Sequence, residues 1–219
     1  MTKQTTIEAV LFDMDGVLVD SEAFIRQAGI EMFQEKGYQV SAEDFMPFTG
    51  MGENRYLGGV AEKHHIPFDL ELDKARTYAI YAKMVKGKLD ALDGVLPFIE
   101  KCREKGLKLA VASSADPVKV NINLDEIGLD KSLFTAIVTG LDIEHKKPAP
   151  DIFLKAAELA GASPHHCLVV EDAVSGVAAG KAAGARVLAL KTSFGDEELA
   201  AADWITDTLA TAGSEVLDW

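Results

Sequence analysis

Asp13 and Asp15 stand two residues apart in Asp13-Met14-Asp15-Gly16-Val17, directly after the apolar run Ile7-Glu8-Ala9-Val10-Leu11-Phe12. One carboxylate can act as a nucleophile and the other can move protons. Alternation along an extended chain points both to one side, and Gly16 lets the backbone turn away from a ligand. A solvated turn after a strand would use the same residue types, so the pair gains meaning from groups further along the chain.

Three later groups carry complementary chemistry. Ser113-Ser114 precedes Asp116-Pro117, where hydroxyls and free N–H groups at a helix start suit a phosphate. A plain N-cap would look the same. Lys146-Lys147-Pro148-Ala149-Pro150 places an amine on a stiff backbone, where it can meet charge gathering on a phosphoryl group. An exposed basic turn is the alternative. Glu171-Asp172, with Gly176 shortly after, offers hard oxygen ligands which, with Asp13, suit Mg²⁺. Acids at a helix N-terminus also complement its dipole. The steps from Asp13 to Ser113, Lys147 and Asp172 are 100, 34 and 25 residues.

These groups need a scaffold that brings them to one edge. Apolar runs predict strands over 7–12, 108–112, 136–139, 167–170 and 187–190, with a short edge strand at 204–205. Helical patterns over 95–105, 117–127, 150–160 and 173–183 each stop at a glycine, which supplies a left-handed cap. Such alternation predicts an α/β fold, a doubly wound parallel sheet covered on both faces. In such a sheet the residues just past the strand C-termini line the ligand crevice, and all four groups fall there. The stretch 20–92 breaks the rhythm. Phe24, Ile25, Ala28, Met32 and Phe33 fit one helix face ending at Gly37, and 69–86 reads as another helix. This is an inserted α-helical cap between core segments 1–19 and 93–219, leaving from the catalytic edge and able to cover it.

Composition narrows the partners. The 219 residues are 48% apolar, enough for a core. With 22 Lys and Arg against 35 Asp and Glu, the net charge of −13 disfavours nucleic acid and anionic membrane surfaces. An acidic chain that binds phosphate needs a local cation, which again points to a metal held by carboxylates. Cys102 and Cys167 have no metal-like spacing and read as small core residues in a reducing compartment. No signal-peptide pattern and no run of about 18 apolar residues is present, so a cytoplasmic location without membrane association is expected. The histidine pairs His64-His65 and His165-His166 read as surface loops, and His145, next to the lysine motif, reads either as a residue that tunes phosphate binding or as a solvated loop residue.

The four groups together resemble the haloacid dehalogenase (HAD) superfamily over essentially the whole chain. The insertion resembles a C1 cap of the β-phosphoglucomutase-like branch, as do Lys147-Pro148-Ala149-Pro150-Asp151-Ile152-Phe153 and Glu171-Asp172-Ala173. Leu57-Gly58-Gly59-Val60-Ala61 and Ala112-Ser113-Ser114-Ala115-Asp116 are similar to the HAD domain of the plant chloroplast suppressor-of-quenching family. The resemblance implies Asp13 as nucleophile, through an aspartyl-phosphate, and Asp15 as leaving-group acid and then water-activating base. It implies Ser113, Ser114 and Lys147 on the phosphoryl group. It places Mg²⁺ on Asp13, the Asp15 carbonyl and Asp172, with Glu171 at or near the ion. It assigns substrate specificity to a cap loop containing Thr49, Gly50, Glu53, Asn54 and Arg55, although Thr49 to Asn54 could also be an ordinary helix–helix turn.

The expected function is hydrolysis of a small phosphorylated metabolite or pyrophosphate by a monomer. A phosphosugar mutase is the alternative. Where a mutase carries a cap-helix histidine and a cap-loop arginine for its second phosphate, this chain aligns Ile25 and Glu53, with Arg55 two residues on. A phospho-accepting signalling domain would be shorter and uncapped, and would not need Asp15.

Overall fold

A computed structural model describes residues 7–48 and 52–219. Six parallel strands form one sheet in the order β3-β2-β1-β4-β5-β6. They are β1 (Ala9–Phe12), β2 (Lys108–Ala112), β3 (Ala136–Val138), β4 (Cys167–Glu171), β5 (Arg186–Leu190) and β6 (Trp204–Thr206). Both faces are covered, which is why the strands read as continuous apolar runs. Val10 and Phe12 of β1 join one buried cluster with Phe98, Ile99 and Cys102 of α5 (Val95–Glu104) and Val120 and Leu124 of α6 (Pro117–Glu126). Ala9 and Leu11 join the other, against Ile152, Phe153 and Ala156 of α7 (Asp151–Ala160) and Val177 of α8 (Val174–Ala182).

The strand order reverses at β1, the topological switch point where open α/β sheets place their ligands. Asp13 leaves β1 and Asp172 leaves its neighbour β4, so the acidic motifs flank that point.

Between β1 and α5 lie α1 (Glu22–Glu35), α2 (Ala42–Phe45), α3 (Glu53–Lys63) and α4 (Leu70–Val85). Helices α1 and α4 match the expected stretches, and Asp69 caps α4 by accepting the Leu72 N–H at 3.0 Å. Helix α3 differs from expectation. Gly52, at φ +80°, is the N-cap of α3, and Glu53, Asn54 and Arg55 form the first turn of a helix rather than a loop. Gly58 and Gly59 lower its helix propensity, yet Gly59 is needed there, because a Cβ would lie 2.5 Å from the Phe48 ring. Phe33, Phe45, Tyr56 and Leu57 of these helices are continuous with the apolar cluster on the sheet. Among the described residues, no helix is long and apolar enough to cross a membrane.

Candidate active site

Residues from three strand ends meet around one ammonium group. Lys147 Nζ donates to Asp13 Oδ1 at 2.5 Å and to Glu171 Oε1 at 2.6 Å, and lies 3.3 Å from the Ala112 carbonyl. The Lys147–Pro148 peptide is cis. Asp13, Glu171 and Asp172 each bring a carboxylate oxygen within 4.8 Å of the others, all from buried residues. The other Glu171 oxygen accepts the N–H groups of Asp172 and Ala173, at 2.9 and 3.0 Å, so both its oxygens are held.

Two glycines permit this crowding. A Cβ on Gly16, which sits at φ +80°, would lie 1.9 Å from Asp172 Oδ2. A Cβ on Gly176 would lie 1.8 Å from Glu171 Oε1. Either position requires the missing side chain.

Burial dominates the electrostatics. It raises the Asp13 carboxyl well above the ordinary range; Lys147 opposes this, while Glu171 and Asp172 reinforce it. Burial and then Glu171 push Asp172 up to about 7, with Ser193 and Lys147 in opposition. For Lys147, burial favours the neutral amine, but Asp13 and Glu171 outweigh it and hold the group charged. Three buried carboxylates around one lysine leave an excess of negative charge, and their donors are all hard oxygens. That set fits Mg²⁺.

The Asp15 carboxylate faces elsewhere. Its Oδ2 pairs with Lys119 Nζ at 2.8 Å, and its Oδ1 accepts from the Ser21 hydroxyl. Ser113 is buried at the end of β2, its Oγ accepting the Ala115 N–H at 3.2 Å; Ser114 beside it is half-buried. Of the cap residues, Thr49 and Gly50 lie outside the described residues. Glu53 points inward, is buried, and accepts the Asp116 N–H at 3.2 Å. Exposed Asn54 accepts from Lys74 at 2.8 Å. Arg55 points outward, paired with Glu62 at 2.6 Å and stacked 5.0 Å over Phe48. Four of the five histidines bond outside the acidic cluster: His64 with Asp44, His145 with Asp151, His165 with the Gly184 carbonyl and His166 with Glu8.

Sequence reasoning missed Lys119, Lys74 and Ser193. Lys119 shares the buried face of α6 with Val120, Asn123 and Leu124, and a lysine on such a face was the available signal. Lys74 pairs across to Asp116 at 2.7 Å. Ser193 donates to Asp172 Oδ2 at 2.5 Å from just past β5, and Thr192 donates to the Gly16 carbonyl at 2.7 Å. A fifth strand end with adjacent hydroxyls was legible as part of the same edge.

Comparison with known proteins identifies the family. The family model for haloacid dehalogenase-like hydrolases matches residues 7–184. Protein SUPPRESSOR OF QUENCHING 1, chloroplastic, of Arabidopsis thaliana is 46% identical over 87% of this chain, which spans only 18% of that protein's length. Protein CbbY of Rhodobacter capsulatus is 31% identical over 96% of this chain and 97% of its own. The Phosphorylated carbohydrates phosphatase of Thermotoga maritima is 32% identical over 81% and 82%. The crystal structure of CbbY from Rhodobacter sphaeroides in complex with phosphate superposes with a TM-score of 0.87 at 25% identity, covering 98% of this chain and all of that one. The family-model match over most of the chain and these relatives thus give one assignment: the chain belongs to the haloacid dehalogenase-like hydrolase family.

Proposed function

We propose that this hydrolase is a Mg²⁺-dependent phosphatase that cleaves a small phosphate monoester, a sugar phosphate being the favoured class and pyrophosphate a further candidate. The observation that carries the reading is the buried Asp13–Lys147–Glu171–Asp172 cluster at the sheet's switch point, with Asp15 two residues from Asp13. Segments 1–19 and 93–219 act as the core and 20–92 as the cap. The Thermotoga maritima relative named for phosphorylated carbohydrates supports the substrate class. So does a CbbY crystal form bound to xylulose-(1,5)bisphosphate. The two cysteines are buried free thiols, which suits a reducing, cytoplasmic setting.

In this reading an Asp13 oxygen attacks phosphorus and the bond to the leaving oxygen breaks. Asp15 gives that oxygen its proton. Asp15 then takes a proton from water, whose oxygen attacks the phosphoryl group and restores the Asp13 carboxylate. Lys147 transfers part of its hydrogen bonding from Asp13 to the phosphoryl oxygens, where negative charge gathers. Ser113 and Ser114 hold the same oxygens. Asp13, Asp172 and the Asp15 carbonyl, with Glu171 beside them, would hold Mg²⁺, which would offset the repulsion between an aspartate and a phosphate. Glu171 fixes Lys147 from the far side.

A mutase is disfavoured by the cap. Ile25 is buried among apolar side chains where a mutase would have histidine. Glu53 turns inward and Arg55 outward, so the inward position carries an acid that repels a second phosphate. A screen of sugar phosphates, phosphoglycolate, nucleotides and pyrophosphate, with and without Mg²⁺, tests the reading. The expected result is metal-dependent phosphate release without any sugar bisphosphate activator. Interconversion of β-glucose 1-phosphate and glucose 6-phosphate faster than hydrolysis would replace it with the mutase.

A further inference from the structure

Lys119 is the one residue of α6 whose charge reaches both Asp15 and the helices above. It is 3% exposed, and its ammonium pairs with Asp15 at 2.8 Å. Glu53 of α3, Tyr81 of α4 and Asp15 all act to keep it charged against the cost of burial. Glu22 of α1, bonded by the Tyr56 hydroxyl at 2.9 Å, also lies within its influence. Two further contacts fasten the same seam: Glu53 on the Asp116 N–H and Lys74 on the Asp116 carboxylate. A buried ammonium facing several acids is fixed in place, because every alternative position leaves a buried charge unpaired.

We propose that Lys119 is a positioning residue for Asp15 and that Glu53 steadies it from α3, so that seating this helix fixes the proton-transferring carboxylate. The inference rests on the phosphatase reading above, in which Asp15 protonates the leaving oxygen. Lys119 contacts neither Asp13 nor Lys147 and acts through Asp15. Glu53 is buried on α3 and bonded to the Asp116 N–H, three residues before Lys119, and its charge favours the ammonium.

The test compares kcat/KM, which reports the step that expels the leaving group, for two esters at pH 8. One is p-nitrophenyl phosphate, whose leaving group needs little protonation. The other is the fastest sugar phosphate of the screen, whose alkoxide needs a proton. Lys119→Met should lower kcat/KM for the sugar phosphate about 100-fold, the scale of a catalytic group displaced by an ångström. It should leave p-nitrophenyl phosphate within a few-fold. Glu53→Gln should shift the two esters in the same sense by less. The double variant should match Lys119→Met alone, since Glu53 acts through Lys119. Equal losses on both esters, no loss on either, or additive losses in the double variant would overturn the proposal. If Lys119→Met does not fold by circular dichroism, Lys119→Gln, which keeps a donor without the charge, carries the same comparison. A wild-type protein that hydrolyses neither ester would overturn the phosphatase reading and this inference together. Wild-type activity with leaving-group-independent losses would overturn this inference alone.

Discussion

Lys147 and Asp13, 134 residues apart in the chain, meet with Nζ 2.5 Å from Oδ1, and the same ammonium holds Glu171 at 2.6 Å. The contact joins the ends of β1 and the loop after β3 across the width of β2. It places the only cation in contact with the acidic cluster, among the described residues, against the proposed nucleophile.

Lys147→Ala is therefore expected to damage two properties at once. Removing one partner of a buried ion pair typically costs about 3–5 kcal/mol, since the charges left behind are uncompensated. The variant should have a lower Tm without metal, recover part of it with Mg²⁺, and bind inorganic phosphate more weakly. Thermal melts with and without Mg²⁺, with phosphate as a competitive inhibitor, check this. Unchanged phosphate affinity would make Lys147 a structural residue only.

Asp13→Asn should abolish turnover while keeping the fold, because an amide is nearly isosteric with the carboxylate but is not a nucleophile. Lys147 keeps its second carboxylate partner, Glu171, when Asp13 loses its charge, so the buried ammonium is not left unpaired. Phosphate release near the wild-type rate would remove Asp13 from the mechanism.

Gly176→Ala tests the packing of the cluster from behind. The added Cβ would lie 1.8 Å from Glu171 Oε1, so Glu171 must move and Lys147 with it. We expect activity to fall by about 100-fold, the cost of an ångström-scale displacement, with helix content preserved. Circular dichroism alongside the phosphatase assay separates this from unfolding. Wild-type activity would show that Glu171 has freedom that its two backbone bonds argue against.

Much of this arrangement is legible in the residues themselves. The strands are visible because burial on both faces makes them uninterrupted apolar runs, and the helix ends because glycine supplies the left-handed cap at Gly106, Gly128, Gly161 and Gly184. The acids and Lys147 emerge from their places at strand ends. The hidden features depend on contacts between distant segments. Helix α3 is obscured because Gly58 and Gly59 lower helix propensity, while the ring that requires Gly59 small belongs to Phe48. Lys119 stands out on the apolar face of α6, but its partner Asp15, 104 residues away, shows only in the fold. The opposite orientations of Glu53 and Arg55 come from helical geometry, in which residues two apart face different directions, once that stretch is known to be a helix.

Metal removal gives a further test. Asp13, Glu171 and Asp172 offer three oxygens within 4.8 Å, a compact set suited to the short bonds of Mg²⁺. EDTA should abolish activity and Mg²⁺ should restore it. Ca²⁺ should inhibit, because it takes more ligands at longer distances and draws Asp13 out of line for attack. Full turnover in EDTA would contradict the metal assignment.

Glu53 should leave a signature in the pH dependence of stability. Burial, reinforced by Asp116 and Asp15 and opposed by Lys119, holds its carboxyl at about 7 against an ordinary 4.5. The folded protein therefore keeps this proton more tightly than the unfolded chain does. The resulting stabilisation is present in full below pH 4.5 and is lost as pH rises through 7. Glutamine keeps the acceptor for the Asp116 N–H and has no proton to lose. Glu53→Gln should accordingly gain stability relative to wild type between about pH 5 and pH 8, by a few kcal/mol at most, since one pKa unit corresponds to about 1.4 kcal/mol. Urea midpoints of both proteins at the two pH values measure the difference. A constant gap between them would mean that Glu53 stays ionised in the fold, held so by Lys119.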